Sequence, residues 1–239
     1  MHLHFTMADN LALAPEIRER YERMYSGVFY RRYILGEWCL AEGLVYEFDK
    51  EQHTTEQIPT NGLFYISVDY GTLNPFSAGL WCVNDGKAVR IREYYYSGRT
   101  SQLMKTDEEY YQELETLAGD LPICFVVVDP SATSFIETIR RHGRFSVRKA
   151  RNEVLPGIRL TATLLKAGRI LIHKNCKDAI REFGLYCWDD KGEVDKPLKV
   201  NDHAMDDIRY FCSTVLRREL RHIPELRGLN DEQIQTVAL

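Results

Sequence analysis

The chain has 239 residues, 44% hydrophobic and 28% charged, ordinary globular proportions that exclude a disordered segment and a fibrous repeat. Its 31 basic and 35 acidic residues leave a net charge of −4, which excludes a uniformly basic nucleic-acid coat but not a local basic groove. No apolar run approaches the roughly 20 residues of a membrane helix, and the start, Met-His-Leu-His-Phe-Thr-Met, lacks the pattern of a signal peptide. The six cysteines include no Cys-x2-Cys pair, so neither a zinc knuckle nor a redox motif is expected. Cys82 and Cys124 fall in strand-like stretches and read as buried thiols. A reducing cytoplasm is the simplest setting.

The first sixty residues read as a segment that docks on something else, not as a complete domain. A helix started by Pro15 is predicted within Asn10–Tyr25, with an acidic first turn and arginines further on. Tyr30 to Trp38 and Gly43 to Tyr46 follow, then a polar connection through Pro59.

From Leu63 the pattern becomes regular. Leu63–Val68 is an apolar strand ending at Asp69. Phe76–Val83 and Ala88–Tyr96 are strands joined by Asn84-Asp85-Gly86-Lys87, which has hairpin-turn chemistry. Thr106–Ala118 has helical spacing, with Thr106 and Glu109 placed as a capping box. Ile123–Val128 is a continuous β-branched run of the buried central type, ending at Asp129. Ser134–His142 and Leu155–Ala167 read as helices stopped by Gly143 and Gly168. Ser146–Lys149 and Arg169–His173 are short strands, and Asp178–Tyr186 is helical. Asp189 to Glu193 is a polar turn at the tip of a hairpin, and the last long helix runs from His203 to about Arg218.

Three aspartates stand where chemistry would place them. Asp69 and Asp129 end strands, and Asp206 lies in the first turn of the last helix. Strand ends hold a carboxylate rigidly at the edge where open α/β sheets bind ligands. Converging carboxylates suit Mg2+ or Mn2+, which take hard oxygen ligands. Two such ions roughly 3.5–4 Å apart can activate water and stabilise a leaving oxygen in phosphodiester cleavage. Taken singly, Asp69 is also a turn residue and Asp129-Pro130 a strand-to-turn boundary. The cluster Asn201-Asp202-His203-Ala204-Met205-Asp206-Asp207 is sharper. His203 and Asp206 share a helix face at i and i+3, and Asp202 is placed to cap the helix. Asp207 is expected to point elsewhere, to Arg209 or solvent. His203 beside a metal carboxylate can position water or carry its proton.

Arg140, Arg141, Arg144, Arg148, Lys149 and Arg151 form a basic run that contains no acid. It reads as a solvated face or as a phosphate-tracking rim. Lys191, Lys196 and Lys199 flank the predicted hairpin and offer further backbone contacts. The remaining histidines have no metal-ligand spacing.

Together these segments resemble the C-terminal nuclease half of tailed-phage terminase large subunits, the DNA-packaging motors. Ser67-Val68-Asp69-Tyr70-Gly71, Val128-Asp129-Pro130-Ser131-Ala132 and Asp202 to Tyr210 are similar to its three acidic motifs. Tyr30 to Trp38 with Gly43 to Tyr46 is similar to the stretch joining its ATPase to its nuclease. The resemblance implies an α/β, ribonuclease H-like mixed sheet flanked by helices. It implies Asp69, Asp129 and Asp206 as carboxylates for two Mg2+ or Mn2+ ions, and His203 as an assisting residue. Leu185 to Lys199 would be a hairpin regulating access of DNA. The implied activity is endonucleolytic cutting of double-stranded concatemeric viral DNA during genome packaging, in the host cytoplasm and without a membrane. The implied partners are an ATPase domain, a small terminase subunit and a portal. Arg144, Arg148, Lys149, Lys191 and Lys196 are the candidate DNA contacts.

No Gly-x4-Gly-Lys-[Ser/Thr] sequence is present. Residues 1–60 are therefore expected to be the tail of an ATPase domain with its linker, 61–220 the nuclease and 221–239 a C-terminal tail. Two other readings stand beside this one. Val68-Asp69-Tyr70-Gly71-Thr72 also resembles the first phosphate loop of sugar kinases and actin-like ATPases, although no second Gly-rich loop accompanies it. A non-catalytic portal-docking module is the other, which the presence of all three aspartates disfavours.

Overall fold

The apolar runs read from the sequence pair into one sheet. The computed structural model describes residues 5–39, 41–191 and 194–217. Gly192 and Glu193 of the hairpin tip, Arg218 and the 221–239 tail lie outside the described residues; the last helix, expected to reach about Arg218, ends at Thr214.

In chain order the elements begin with helices α1 (Pro15–Met24), α2 (Gly27–Tyr33) and α3 (Lys50–His53) and strand β1 (Thr54–Thr55). Strands β2 (Leu63–Asp69), β3 (Phe76–Asn84) and β4 (Lys87–Tyr96) follow, then α4 (Gly98–Ser101), α5 (Asp107–Ala118), β5 (Ile123–Val128) and α6 (Thr133–His142). The chain continues through β6 (Val147–Lys149), α7 (Val154–Lys166), β7 (Ile170–His173), α8 (Lys177–Phe183) and α9 (His203–Thr214). Among the described residues, seven strands lie in the order β1-β7-β4-β3-β2-β5-β6. β3 runs antiparallel to both neighbours and every other pairing is parallel. Asp85 and Gly86, both at positive φ (49° and 69°), make the two-residue turn that the strand twist favours between β3 and β4. The capping box at Thr106 and Glu109 starts α5.

Because side chains alternate across a sheet, β2 feeds two cores. Phe64, Ile66 and Val68 pack on α5 and α6 through Tyr110, Leu114, Phe135 and Ile139. Tyr65, with Trp81, Phe125 and Val127, faces α7 and α9, and Trp81 stacks on Phe211 at 4.0 Å between ring centroids. The N-terminal arm joins this second core through Met24, Tyr25, Phe29 and Ile34.

Two sequence expectations need correction. Cys82 is buried, but Cys124 is exposed, because it lies at the start of β5, where burial begins only at Phe125. Asp207 reaches neither solvent nor Arg209. It is fully buried and binds Arg90, Ser67 and Ser77 across the sheet, and Trp81 donates to Ser67 Oγ at 2.8 Å. Gly79 makes room for this pair, since a Cβ there would lie 2.0 Å from Arg90 Nη1.

Candidate active site

Parallel pairing in register, with Val68 opposite Val128, brings Asp69 and Asp129 out side by side at one edge of the sheet. Neighbouring strands run only about 4.8 Å apart. α9 packs across β2, β3 and β5, so its first turn meets the same edge. There His203 Nδ1 lies 2.9 Å from Asp69 Oδ2. Asp206 is held on both oxygens: Arg209 donates to Oδ1 at 2.8 and 3.2 Å, and Lys199 Nζ donates to Oδ2 at 3.1 Å. The Asp129 carboxylate accepts from Ser131 N at 2.7 Å and from the Tyr210 hydroxyl at 2.7 Å. Asp69, Asp202, His203 and Asp206 line an open cleft of about 730 Å³, with Lys199 and Arg99 on its walls. Asp129 stands beside the cleft and does not line it.

Asp202 is the N-cap residue of α9, as the sequence predicts, but its side chain makes no capping hydrogen bond. The reason is Glu182 of α8, which accepts from Ala204 N at 2.7 Å and from the Tyr95 hydroxyl at 2.6 Å. With the helix end satisfied from elsewhere, Asp202 turns to Lys199 at 3.3 Å and lies 3.7 Å from His203 Nε2.

The electrostatics follow from this crowding. Burial pushes the Asp69 carboxyl up to about 7; Asp206 and Asp207 add to the shift and His203 opposes it. Burial alone would also raise Asp129, but the Ser131 and Tyr210 hydrogen bonds outweigh it and hold this group below the usual carboxylate range. Burial disfavours charged His203, yet its hydrogen bond to Asp69 and the charges of Asp69, Asp202 and Glu182 raise it above the ordinary imidazole value.

Among the described residues, no three His, Cys, Asp or Glu side chains form a ready-made metal cage. The donor set nevertheless suits a hard cation. It is built of carboxylates, one of which is raised to about 7 partly by neighbouring negative charge, and a lysine ammonium already sits between two others.

The basic run divides. Arg144 lies before β6, at the edge opposite the carboxylates, where it binds Glu115 and the Gly119 carbonyl. Arg140 and Arg141 pair with Glu137 and Glu108, and the Arg148 guanidinium lies 3.8 Å from the Phe125 ring centroid. Lys149, in register with Val128, emerges exposed at the carboxylate edge. The predicted hairpin is present: Trp188 bridges Pro197, and Leu198 N donates to Cys187 O at 2.9 Å. Lys191 and Lys196 are exposed on it.

Sequence reading missed Arg209 and Tyr210 as the groups that orient Asp206 and Asp129. Spacing on α9 offered a signal for Arg209, three residues after Asp206; none existed for Tyr210, whose partner is 81 residues away. Arg99 was also missed; it follows β4 and therefore reaches the same edge.

No family model matches the chain, and no curated protein matches it. Solved structures do. The large terminase of a thermophilic bacteriophage, in complex with ADP, is 47% identical over 90% of this chain, with a TM-score of 0.83. The P22 large terminase nuclease domain is 21% identical over 74% of this chain and 93% of its own, with a TM-score of 0.59. The large terminase nuclease of another thermophilic phage, G20c, with bound magnesium is 14% identical, with coverage of 67% and 86% and a TM-score of 0.53. The last two establish the ribonuclease H-like fold. The chain spans 56% of the length of the ADP-bound large terminase. Shared topology and near-half identity over nine-tenths of its residues place the chain in the large-terminase family of phages.

Proposed function

We propose that this chain is the DNA-cleaving part of a phage packaging terminase, an endonuclease that cuts double-stranded concatemeric DNA with the help of Mg2+ or Mn2+. The observation that carries the reading is the in-register emergence of Asp69 and Asp129 beside the first turn of α9, which supplies Asp206 and His203. Asp69, Asp129 and Asp206 would hold the metal, as two ions. When bound, such ions polarise the scissile phosphate and lower the pKa of an attacking water. His203, 2.9 Å from Asp69, would take or relay that water's proton. Arg209 and Tyr210 keep the carboxylates of Asp206 and Asp129 from rotating.

Lys149, Lys191 and Lys196 are exposed cations that can track the phosphate backbone beside this edge. Arg144 and Arg148 are engaged by the protein's own residues. The G20c nuclease, solved with bound magnesium, supports use of a divalent ion. An ATPase domain, a small terminase subunit and a portal are the partners such a motor requires. Residues 1–60 would lead from the ATPase.

The test is cleavage of circular plasmid. Nicking and linearisation should require Mg2+ or Mn2+ and stop with EDTA. Asp69→Ala, Asp129→Ala and Asp206→Ala should each abolish it, and His203→Ala should slow it by about 10²–10⁴-fold, the range of an assisting acid–base group. Full activity of Asp206→Ala would refute the assignment.

A further inference from the structure

Lys199 occupies a place where a lysine is not expected. It lies just before the N-terminus of α9, the positive end of the helix dipole, which favours anions and disfavours ammonium groups. What offsets this is a pair of carboxylates: Nζ is 3.3 Å from Asp202 and 3.1 Å from Asp206, both of which are buried. The lysine side chain itself is 57% exposed, so no packing locks it in place and it can swing away. Its position is set from two sides. Behind it, the hairpin is fastened to the N-terminal arm by the Arg32–Asp195 ion pair and by Ala41 N donating to Asp195 at 3.1 Å. Ahead of it, Asn201 takes a left-handed turn (φ 54°), with Arg181 donating to its side-chain oxygen at 3.2 Å.

We propose that Lys199 is an internal counter-cation that holds Asp202 and Asp206 until a divalent ion displaces its ammonium. The lysine and the ion compete for the same carboxylate, so Lys199 sets the metal concentration at which the site loads. It also spares the empty site the cost of adjacent uncompensated carboxylates. The idea rests on the reading of Asp206 as a metal ligand.

Titration of the DNA-free protein with Mn2+ in a calorimeter separates the two claims. Lys199→Gln, shown to be folded by circular dichroism, should bind Mn2+ about tenfold more tightly, as withdrawing one charge-assisted competitor predicts. Lys199→Arg, which keeps the charge, should bind no more tightly than wild type. Lys87→Gln, which removes one positive charge at the β3–β4 turn, should leave the affinity unchanged. The proposal is overturned if Lys199→Gln binds Mn2+ as wild type does, or if Lys199→Arg tightens binding as much as Lys199→Gln. A fall in DNA affinity of Lys199→Gln with Mn2+ affinity unchanged would make Lys199 a substrate contact instead. If Asp206→Asn leaves the wild-type Mn2+ isotherm intact, the metal-site reading itself is wrong.

Discussion

Asp206 and Asp207 are adjacent in the chain, both buried and both paired with an arginine, yet they face different surroundings. Asp206 faces the cleft, whereas Asp207 is sealed under the sheet with Arg90 and two serines. Removing one partner of a fully buried ion pair strands the other charge, which costs about 3–5 kcal/mol. Asp207→Ala should therefore lower the urea midpoint sharply. Asp206→Ala also strips the buried Arg209 of its carboxylate partner, but Arg209 keeps carbonyl partners at Asn152 and Glu153, so the midpoint should fall less. Equal losses in the two variants would contradict this division. The cluster Asp202 to Asp207 does put Asp206 on the His203 face, but it does not reveal the buried pairing of Asp207. Helical spacing puts Asp207 on a different face from Asp206, but its partners lie 117 to 140 residues away in sequence. Likewise Asp202 looked like a cap because nothing nearby in the chain announces that Glu182 satisfies the helix end.

At the scale of elements, strand direction decides which basic residues can meet DNA. β6 runs parallel to β5, so the run Arg140 to Arg151 crosses the molecule from the edge opposite the carboxylates to the carboxylate edge itself. The sequence displays the run as one block because its acidic partners, Glu108 and Glu115, sit on a different helix. The salt dependence of DNA binding distinguishes the two ends. Lys149→Gln should reduce the log–log slope by about 0.9, one phosphate contact, and Arg144→Gln should leave it unchanged. Neutralising Lys191 and Lys196 together should change cleavage more than binding, since the hairpin runs into the site through Lys199. The reverse ranking of Lys149 and Arg144 would show that DNA crosses the other edge.

The whole molecule is one sheet with unequal duties on its two sides. The α5 and α6 side is plain core, whereas the α7 and α9 side carries the buried Asp207 pair, the arm and the carboxylate edge. Much of this was legible from β2 onward. An apolar run followed by aspartate marks a strand leaving the core, and it did so for both Asp69 and Asp129. The docking of the arm was not specified by any local pattern, because α1 and α2 bury only parts of their surfaces, against α7, which lies more than a hundred residues further on. The central claim is that the strand-end carboxylates and Asp206 share a divalent ion. Anomalous scattering from crystals soaked in Mn2+ tests it most directly. The account predicts density within about 2.0–2.3 Å of oxygens of Asp69, Asp129 and Asp206, as hard-cation coordination requires, with the Lys199 ammonium moved away. Mn2+ bound elsewhere, or absent from this cleft at concentrations that support cleavage, would contradict it.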